Sequence, residues 1–177
     1  MRIIGGKHRS RVLKTFDGEA VRPTSDRARE ALFNVLQDKI LSCSFYDGFA
    51  GSGAIGLEAL SRGAKEVVLT DISNESIKLI KSNASLLGET PLVLNSDCIT
   101  FLKETNEKFD IIFLDPPYKS DAGETALKVI ADRNILNGGG IAVLEKDREG
   151  VEVVGLEKQK TKKYGKAFFT FYGDSNV

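Results

Sequence analysis

The chain is expected to fold as a doubly wound α/β domain: a seven-stranded, mostly parallel sheet with helices on both faces and a short N-terminal hairpin or arm. Three features predict it. Short apolar runs alternate with helical patterns five times between Phe45 and Glu145, as in βα units that feed a parallel sheet. The first strand-to-helix turn is glycine-rich, Gly51-Ser52-Gly53-Ala54-Ile55-Gly56, and satisfies G-x-G-x-x-G. The fourth strand, Phe109–Leu114, is almost unbroken in apolar residues, as burial on both faces requires.

Residues 1–22 show short apolar and polar alternations broken by Gly5-Gly6 and Asp17-Gly18, the pattern of a small hairpin or extended arm ahead of a domain spanning 23–177. A helix should start near Thr24. Pro23 precedes it, Thr24 or Ser25 can cap it, and Asp26 suits the positive end of its dipole; Ala28, Ala31, Leu32, Val35 and Leu36 form its apolar stripe. Strand Phe45–Phe49 then leads to helix Ser52–Arg62, and strand Val67–Asp71 to helix Asn74–Leu87. Strand Leu92–Asn95 leads to a short helix near Ile99–Lys103, and strand Phe109–Leu114 to helix Gly123–Ile135. Gly138-Gly139-Gly140 reads as a turn before strand Ile141–Glu145, because a strand and not a helix follows it. The last two strands, around Val153–Lys160 and Ala167–Tyr172, have a short connection at Tyr164-Gly165 and should pair antiparallel.

A length of 177 residues suits one domain with its own core. Cys43 and Cys98 form no metal-like set and there is one histidine, so no metal site is expected and both thiols should be reduced. No apolar run approaches a membrane span, and Met1 to Gly6 lacks a signal peptide's apolar segment; the expected location is cytoplasmic. The 25 basic and 25 acidic residues cancel, but unevenly along the chain. Residues 1–14 carry Arg2, Lys7, Arg9, Arg11 and Lys14 without an acid, and Lys158, Lys160, Lys162, Lys163 and Lys166 cluster near the C-terminus. Such ends suit a polyanion, or else are solvated edges that keep strands from aggregating.

Asp115-Pro116-Pro117-Tyr118 closes the fourth strand, where open α/β sheets bind ligands. The prolines remove two backbone donors and leave their carbonyls free to accept. With the Asp115 carboxylate and the flat Tyr118 ring they make a cup for a planar group carrying an amine; the alternative is a plain strand-ending turn. Asp71 ends the second strand twenty residues after Gly51, the spacing of a carboxylate that binds a ribose diol, and alone it would suit NAD equally well. Asp47 precedes the glycines, an awkward neighbour for a pyrophosphate but a good one for a cationic amino-acid head group. Asp97 ends the third strand, either to accept from an adenine amine or to cap the next helix. Acids at three strand ends favour a cationic adenosyl ligand, and S-adenosylmethionine fits.

These residues resemble the class I S-adenosylmethionine-dependent methyltransferases with a DPPY motif. More narrowly, nearly the whole chain resembles the RsmD family, bacterial methyltransferases of 16S small-subunit ribosomal RNA that modify a guanine at N2. The stretches that carry the likeness are Arg2 to Lys7, Val21 to Arg27, Asp47 to Gly53, Gly56 to Ala64, and Asp115 to Tyr118. Two positions depart from the family pattern: Gly48, where relatives more often carry a bulky apolar residue, and His8, often an aromatic. The resemblance implies that Asp47, Gly51 and Gly53 hold the methionine portion, Asp71 the ribose and Asp97 the adenine edge, with Phe49, Ala50, Ser52, Ile72 and Cys98 completing the cofactor site. It implies that Asp115, Pro116, Pro117 and Tyr118 hold the base, and that Arg2, Lys7, Arg9 and Arg11 grip RNA phosphates, with the lysines near the C-terminus as a second candidate. Arg22 and Arg27 face the cofactor or the RNA, or pair with Asp26. The RNA is expected free or within an assembling small subunit.

Three rival readings stand beside this one, the last a catalytically idle RNA-binding protein, disfavoured because no proposed catalytic position is degraded. A DNA or protein amino-group methyltransferase shares the chemistry, but a DNA enzyme usually needs a recognition region that is not evident here. An NAD-dependent oxidoreductase would use the literal G-x-G-x-x-G but leaves Asp47 and the Asp-Pro-Pro-Tyr cup unexplained.

Overall fold

The computed structural model describes residues 1–17 and 25–174, so Arg22, Pro23 and Thr24 lie outside the described residues. In chain order the elements are α1 (Asp26–Val35), α2 (Gln37–Ile40), β1 (Ser44–Asp47), α3 (Ala54–Ser61), β2 (Glu66–Asp71), α4 (Asn74–Leu87) and β3 (Leu92–Asn95). They continue with α5 (Cys98–Glu104), β4 (Phe109–Leu114), α6 (Ala122–Asp132), β5 (Leu136–Lys146), β6 (Leu156–Tyr164) and β7 (Ala167–Asp174). The seven strands lie in the order β3-β2-β1-β4-β5-β7-β6. The first five are parallel; β7 runs antiparallel between β5 and β6. The order reverses between β1 and β4, and that switch point opens the crevice where such sheets bind ligands.

Alternation along the strands builds a core on each face. Phe45, Leu69, Ile111, Phe113, Val143 and Phe171 pack with residues of α1, α3 and α4. Tyr46, Val68, Ile112, Leu114, Ala142 and Tyr172 face α5 and α6. Helix starts follow local chemistry: the Ser25 hydroxyl accepts from the Ala28 amide, and the Ser73 hydroxyl from the Ser76 amide.

Several boundaries differ from expectation, each for a local reason. The first strand stops at Asp47 instead of Phe49, and its helix begins at Ala54 instead of Ser52, because Gly51 and Gly53 take φ of 55° and 83°. Helix α6 ends at Asp132 instead of Ile135. Asn134 turns left-handed, and the Asn134 and Ile135 amides bond back to Ala131 and Ile130, which closes the helix end. The three glycines expected as a turn lie inside β5: Leu136 pairs with Phe109 but Ile141 with Ile111, so the extra residues bulge out around a left-handed Gly139.

The N-terminal segment turns back on itself through a bridge between Arg2 and Val12, with Ile3 and Leu13 buried in the sheet's own core. Its anchor is the fully buried Glu58 of α3, whose carboxylate accepts from the Ile4 and Gly5 amides at 2.9 and 2.8 Å and from Arg62 at 2.8 Å. No helix among the described residues is long and apolar enough to cross a membrane.

Candidate active site

Strand ends position the acids. Asp47 closes β1 at 1% exposure, with one oxygen accepting the Gly56 amide at 3.1 Å and the other, Oδ1, lacking any hydrogen-bond partner. Burial pushes its carboxyl up to about 7 against the lowering effect of the Gly56 bond, and the Asp71 charge adds to the rise. An orphaned, buried acceptor beside a glycine turn is what a cationic ligand would satisfy. Helix α3 approaches closely enough for that bond because Gly56 has no side chain: a Cβ there would stand 2.6 Å from Leu69. At Gly51 the space beside the backbone is open to 4 Å.

Asp71 closes β2 and braces the same turn. One of its oxygens accepts from the Gly51 amide and the other from Ser73, each at 2.9 Å. Beneath the turn, the Tyr46 hydroxyl meets Thr70 Oγ1 at 2.7 Å, and Thr70 donates to the Gly48 carbonyl at 3.0 Å. Ala50 is buried, Phe49 and Ser52 half-buried, and Ile72 is 73% exposed just after the Asp71 carboxylate. Asp97 caps α5 by accepting from Thr100 at 2.9 Å, so its capping role is realised. Cys98 is buried, its Sγ filling the room beside Gly48, where a Cβ would come within 2.6 Å of it. Burial raises that thiol to about 12 and keeps it inert.

Across the switch point, Asp115 follows the last residue of β4 and opens into a cleft shared with Pro116, Pro117, Tyr118, Glu145 and Lys146. Its surface is open, yet the concave walls strip much of its water. Desolvation, then the charges of Glu145 and Asp47, raise its carboxyl well above the usual range. Tyr118 is 57% exposed. The structure thus gathers Asp47, Asp71, the glycine turn and Asp115 to Tyr118 at one end of the sheet.

Two further groups enter this cleft from the neighbouring strand. Glu145 follows Leu144, the partner of Leu114, and so stands beside Asp115 on the neighbouring strand. Lys146 is 8% exposed; it pairs with Glu124 at 2.6 Å and donates to the Ser120 carbonyl at 3.3 Å, tying the Asp-Pro-Pro-Tyr loop to α6. Ser120 in turn donates its hydroxyl to the Pro117 carbonyl at 3.0 Å. Cross-strand register makes these contacts, and local sequence carries no signal for them.

Of the N-terminal segment's basic residues, Lys7, His8 and Arg11 are held away from this cleft, whereas the Lys14 backbone meets Asn83, which also donates to the Ser52 carbonyl of the glycine turn. Lys7 and His8 pair with Glu89 at 2.5 and 2.7 Å, and Arg11 donates to the Leu86 carbonyl at 2.6 Å. Leu86 and Glu89 lie at the end of α4, just before β3 begins, hence toward the opposite end of the parallel strands. Arg2 pairs with Asp26 at 3.4 Å, while Arg9 and Arg27 are exposed.

Sheet order, switch-point glycine turn and strand-end carboxylates together define a class I methyltransferase fold. Residues 1–173 match the model of a family described as Conserved hypothetical protein 95. The chain is 36% identical over 154 residues to the ribosomal RNA small subunit methyltransferase D of Haemophilus influenzae, covering 84% of this chain and 80% of that protein. It is 39% identical over 150 residues to the Escherichia coli protein of the same name, covering 84% and 76%. The solved structure of a putative methyltransferase from Escherichia coli matches with a TM-score of 0.88 at 32% identity, over 98% of this chain and 97% of that one. The chain belongs to this family, that of the small-subunit ribosomal RNA methyltransferases D.

Proposed function

We propose that the protein transfers a methyl group from S-adenosylmethionine to the exocyclic N2 amine of a guanine in 16S ribosomal RNA, free or within an assembling small subunit. The observation that carries this reading is the pair of carboxylates Asp47 and Asp115 at neighbouring strand ends, one with an orphaned buried oxygen and the other at the mouth of a proline-walled cup. A phosphate-bearing dinucleotide would meet Asp47 unfavourably, whereas a donor with an ammonium and a sulfonium would not. The curated relatives named above as ribosomal RNA methyltransferases supply the class of substrate.

Asp47 and the Gly51–Gly53 turn would hold the amino-acid end of the donor, Asp71 the ribose hydroxyls, and Ile72 and Asp97 the adenine. When bound, the donor supplies an electrophilic methyl carbon. An exocyclic amine is a poor nucleophile because its lone pair is delocalised into the ring. Asp115 and the Pro116 carbonyl accept its two N–H bonds, draw the nitrogen out of the ring plane and point the lone pair outward. Tyr118 stacks on the base, which has left its own stack to enter the cup. The donor's sulfur would leave with the C–S electron pair as the amine lone pair takes the methyl carbon, and the residues named here would hold the two in line. The nitrogen then sheds a proton, and Asp115, whose proton affinity is raised, receives it. Positioning supplies most of the rate, because reacting atoms held in line avoid the entropy of encounter.

Labelled-methyl transfer to unmodified small-subunit RNA and to assembling subunits, followed by mapping of the modified nucleotide, tests this. Label on a guanine N2 is expected. Label on adenine, DNA or protein, or calorimetric binding of NAD in place of S-adenosylmethionine, would overturn it.

A further inference from the structure

We propose that the tip of the β6–β7 hairpin, through Lys162, Lys163 and Lys166, is the surface that grips the RNA backbone beside the base cup. This rests on the reading of the cleft as an RNA-base site. The register sets out the geometry: Leu114 pairs with Leu144, Glu145 with Phe169, and Phe169 with Lys162. Asp115, Glu145, Phe169 and Lys162 therefore lie in one cross-strand row at the ligand-binding end of the sheet. Three strand spacings of about 4.8 Å put the Lys162 backbone about 14 Å from Asp115. The next row runs Lys146, Phe168 and Lys163, and the turn that follows carries Lys166.

The chemistry follows from what the cleft cannot do for itself. Asp47, Asp71, Asp115, Glu145 and Asp147 in and beside it outnumber Lys119 and Lys146, the latter already paired with Glu124, so the cleft suits a cationic donor but repels phosphates. An RNA that delivers one base there must find cations just outside, within reach of the flanking nucleotides. Lys162, Lys163 and Lys166 supply them. Among the described residues none of the three has a carboxylate partner, unlike Lys7, paired with Glu89, or Lys158, paired with Glu149. The Lys163 ammonium sits 5.1 Å from the Phe168 ring centre, which holds it in place without cancelling its charge. Protection of an exposed edge strand would account for every lysine on β6, but Lys166 lies in the turn and protects no edge, and Lys162 and Lys163 stand at the strand's ligand end with no carboxylate partner among the described residues.

The test compares the triple variant Lys162→Glu/Lys163→Glu/Lys166→Glu with Lys65→Glu/Lys103→Glu/Lys108→Glu. The second set makes the same charge change at exposed positions toward the other end of the sheet. For each protein, S-adenosylmethionine affinity is measured by calorimetry, and KM for small-subunit RNA at several salt concentrations. Single-strand phosphate contacts release about 0.7 counterion each, so three lysines are worth roughly 100-fold in KM at 0.1 M salt and about two in the slope of log KM against log salt. The hairpin variant should lose both while its cofactor affinity stays; the control should lose neither. A hairpin variant with wild-type KM and salt slope overturns the proposal, as does a loss seen with subunits but not with free RNA, which would mark a protein contact. If the triple variant fails to fold, Lys166→Glu alone, at an exposed turn, should lose roughly 5-fold in KM, and an unchanged KM there counts against the proposal. Failure of the wild-type protein to methylate any RNA would instead sink the function itself.

Discussion

Replacing Asp47 by asparagine should stabilise the ligand-free protein at neutral and alkaline pH while destroying its affinity for S-adenosylmethionine. The carboxyl is 1% exposed, has one oxygen bonded to the Gly56 amide and the other to nothing, and is raised from an ordinary 3.8 to about 7. At about 1.4 kcal/mol per pH unit, keeping it charged costs the ligand-free fold about 4 kcal/mol. Because the folded value lies above the unfolded one, the native state holds the extra proton between about pH 4 and pH 7. The fold therefore loses stability as pH rises through that window, and the whole cost is present above 7. Asparagine keeps the acceptor for Gly56 and removes the charge but buries an amide donor, so a gain of about 2–4 kcal/mol at pH 8, and none at pH 4, is the expectation. Denaturant unfolding of both proteins from pH 4.5 to 8.5 measures it. Asp115 is raised in the same direction and leaves a residual slope in the variant. Wild-type affinity for the cofactor should rise roughly tenfold per pH unit up to about 7 and then level off, with a proton released on binding at pH 6. A variant less stable than wild type at pH 8, or a wild-type affinity flat from pH 5.5 to 7, would refute the reasoning.

Three further outcomes are expected. Asp115→Ala should lower kcat by more than about 10²-fold while calorimetric cofactor affinity changes little; near-normal turnover would remove Asp115 from the chemistry. Lys146→Met leaves Glu124 partly buried without its cation and frees the loop from Ser120. Unfolding should show a loss of about 3 kcal/mol, largely recovered in Lys146→Met/Glu124→Leu, whereas kcat should stay depressed in both. Glu58→Ala strands the Ile4 and Gly5 amides and the buried Arg29, 4.0 Å away, so a thermal melt should report a loss of about 3–5 kcal/mol, with fast amide exchange at Ile4 and Gly5.

What was legible in the chain was local. Alternating βα periodicity, the Gly51-x-Gly53-x-x-Gly56 turn, the acids ending strands and the Asp-Pro-Pro-Tyr stretch all act over a few residues, and backbone sterics and side-chain periodicity suffice to read them. Helix Asn74–Leu87 and strands Leu92–Asn95 and Phe109–Leu114 appear with the expected bounds for that reason. The bulge at Gly138–Gly140 is not legible locally, because three glycines permit a turn or a bulge equally and only pairing with β4 decides between them.

By itself the sequence determined the fold class, carried the family resemblance in its motifs and pointed to one end of the sheet as the candidate site, since pattern, spacing and motif are all short-range. Only the tertiary structure decided which distant groups meet. It put Glu145 beside Asp115, gave Lys146 its hold on the Asp-Pro-Pro-Tyr loop, locked the N-terminal segment onto Glu58 and turned Lys7 toward Glu89. It also inserted β7 between β5 and β6, which carried Lys162, Lys163 and Lys166 to the cup's end of the sheet. Strand order and register are non-local: they depend on how two faces of a sheet bury their apolar residues together, which no short window of sequence contains.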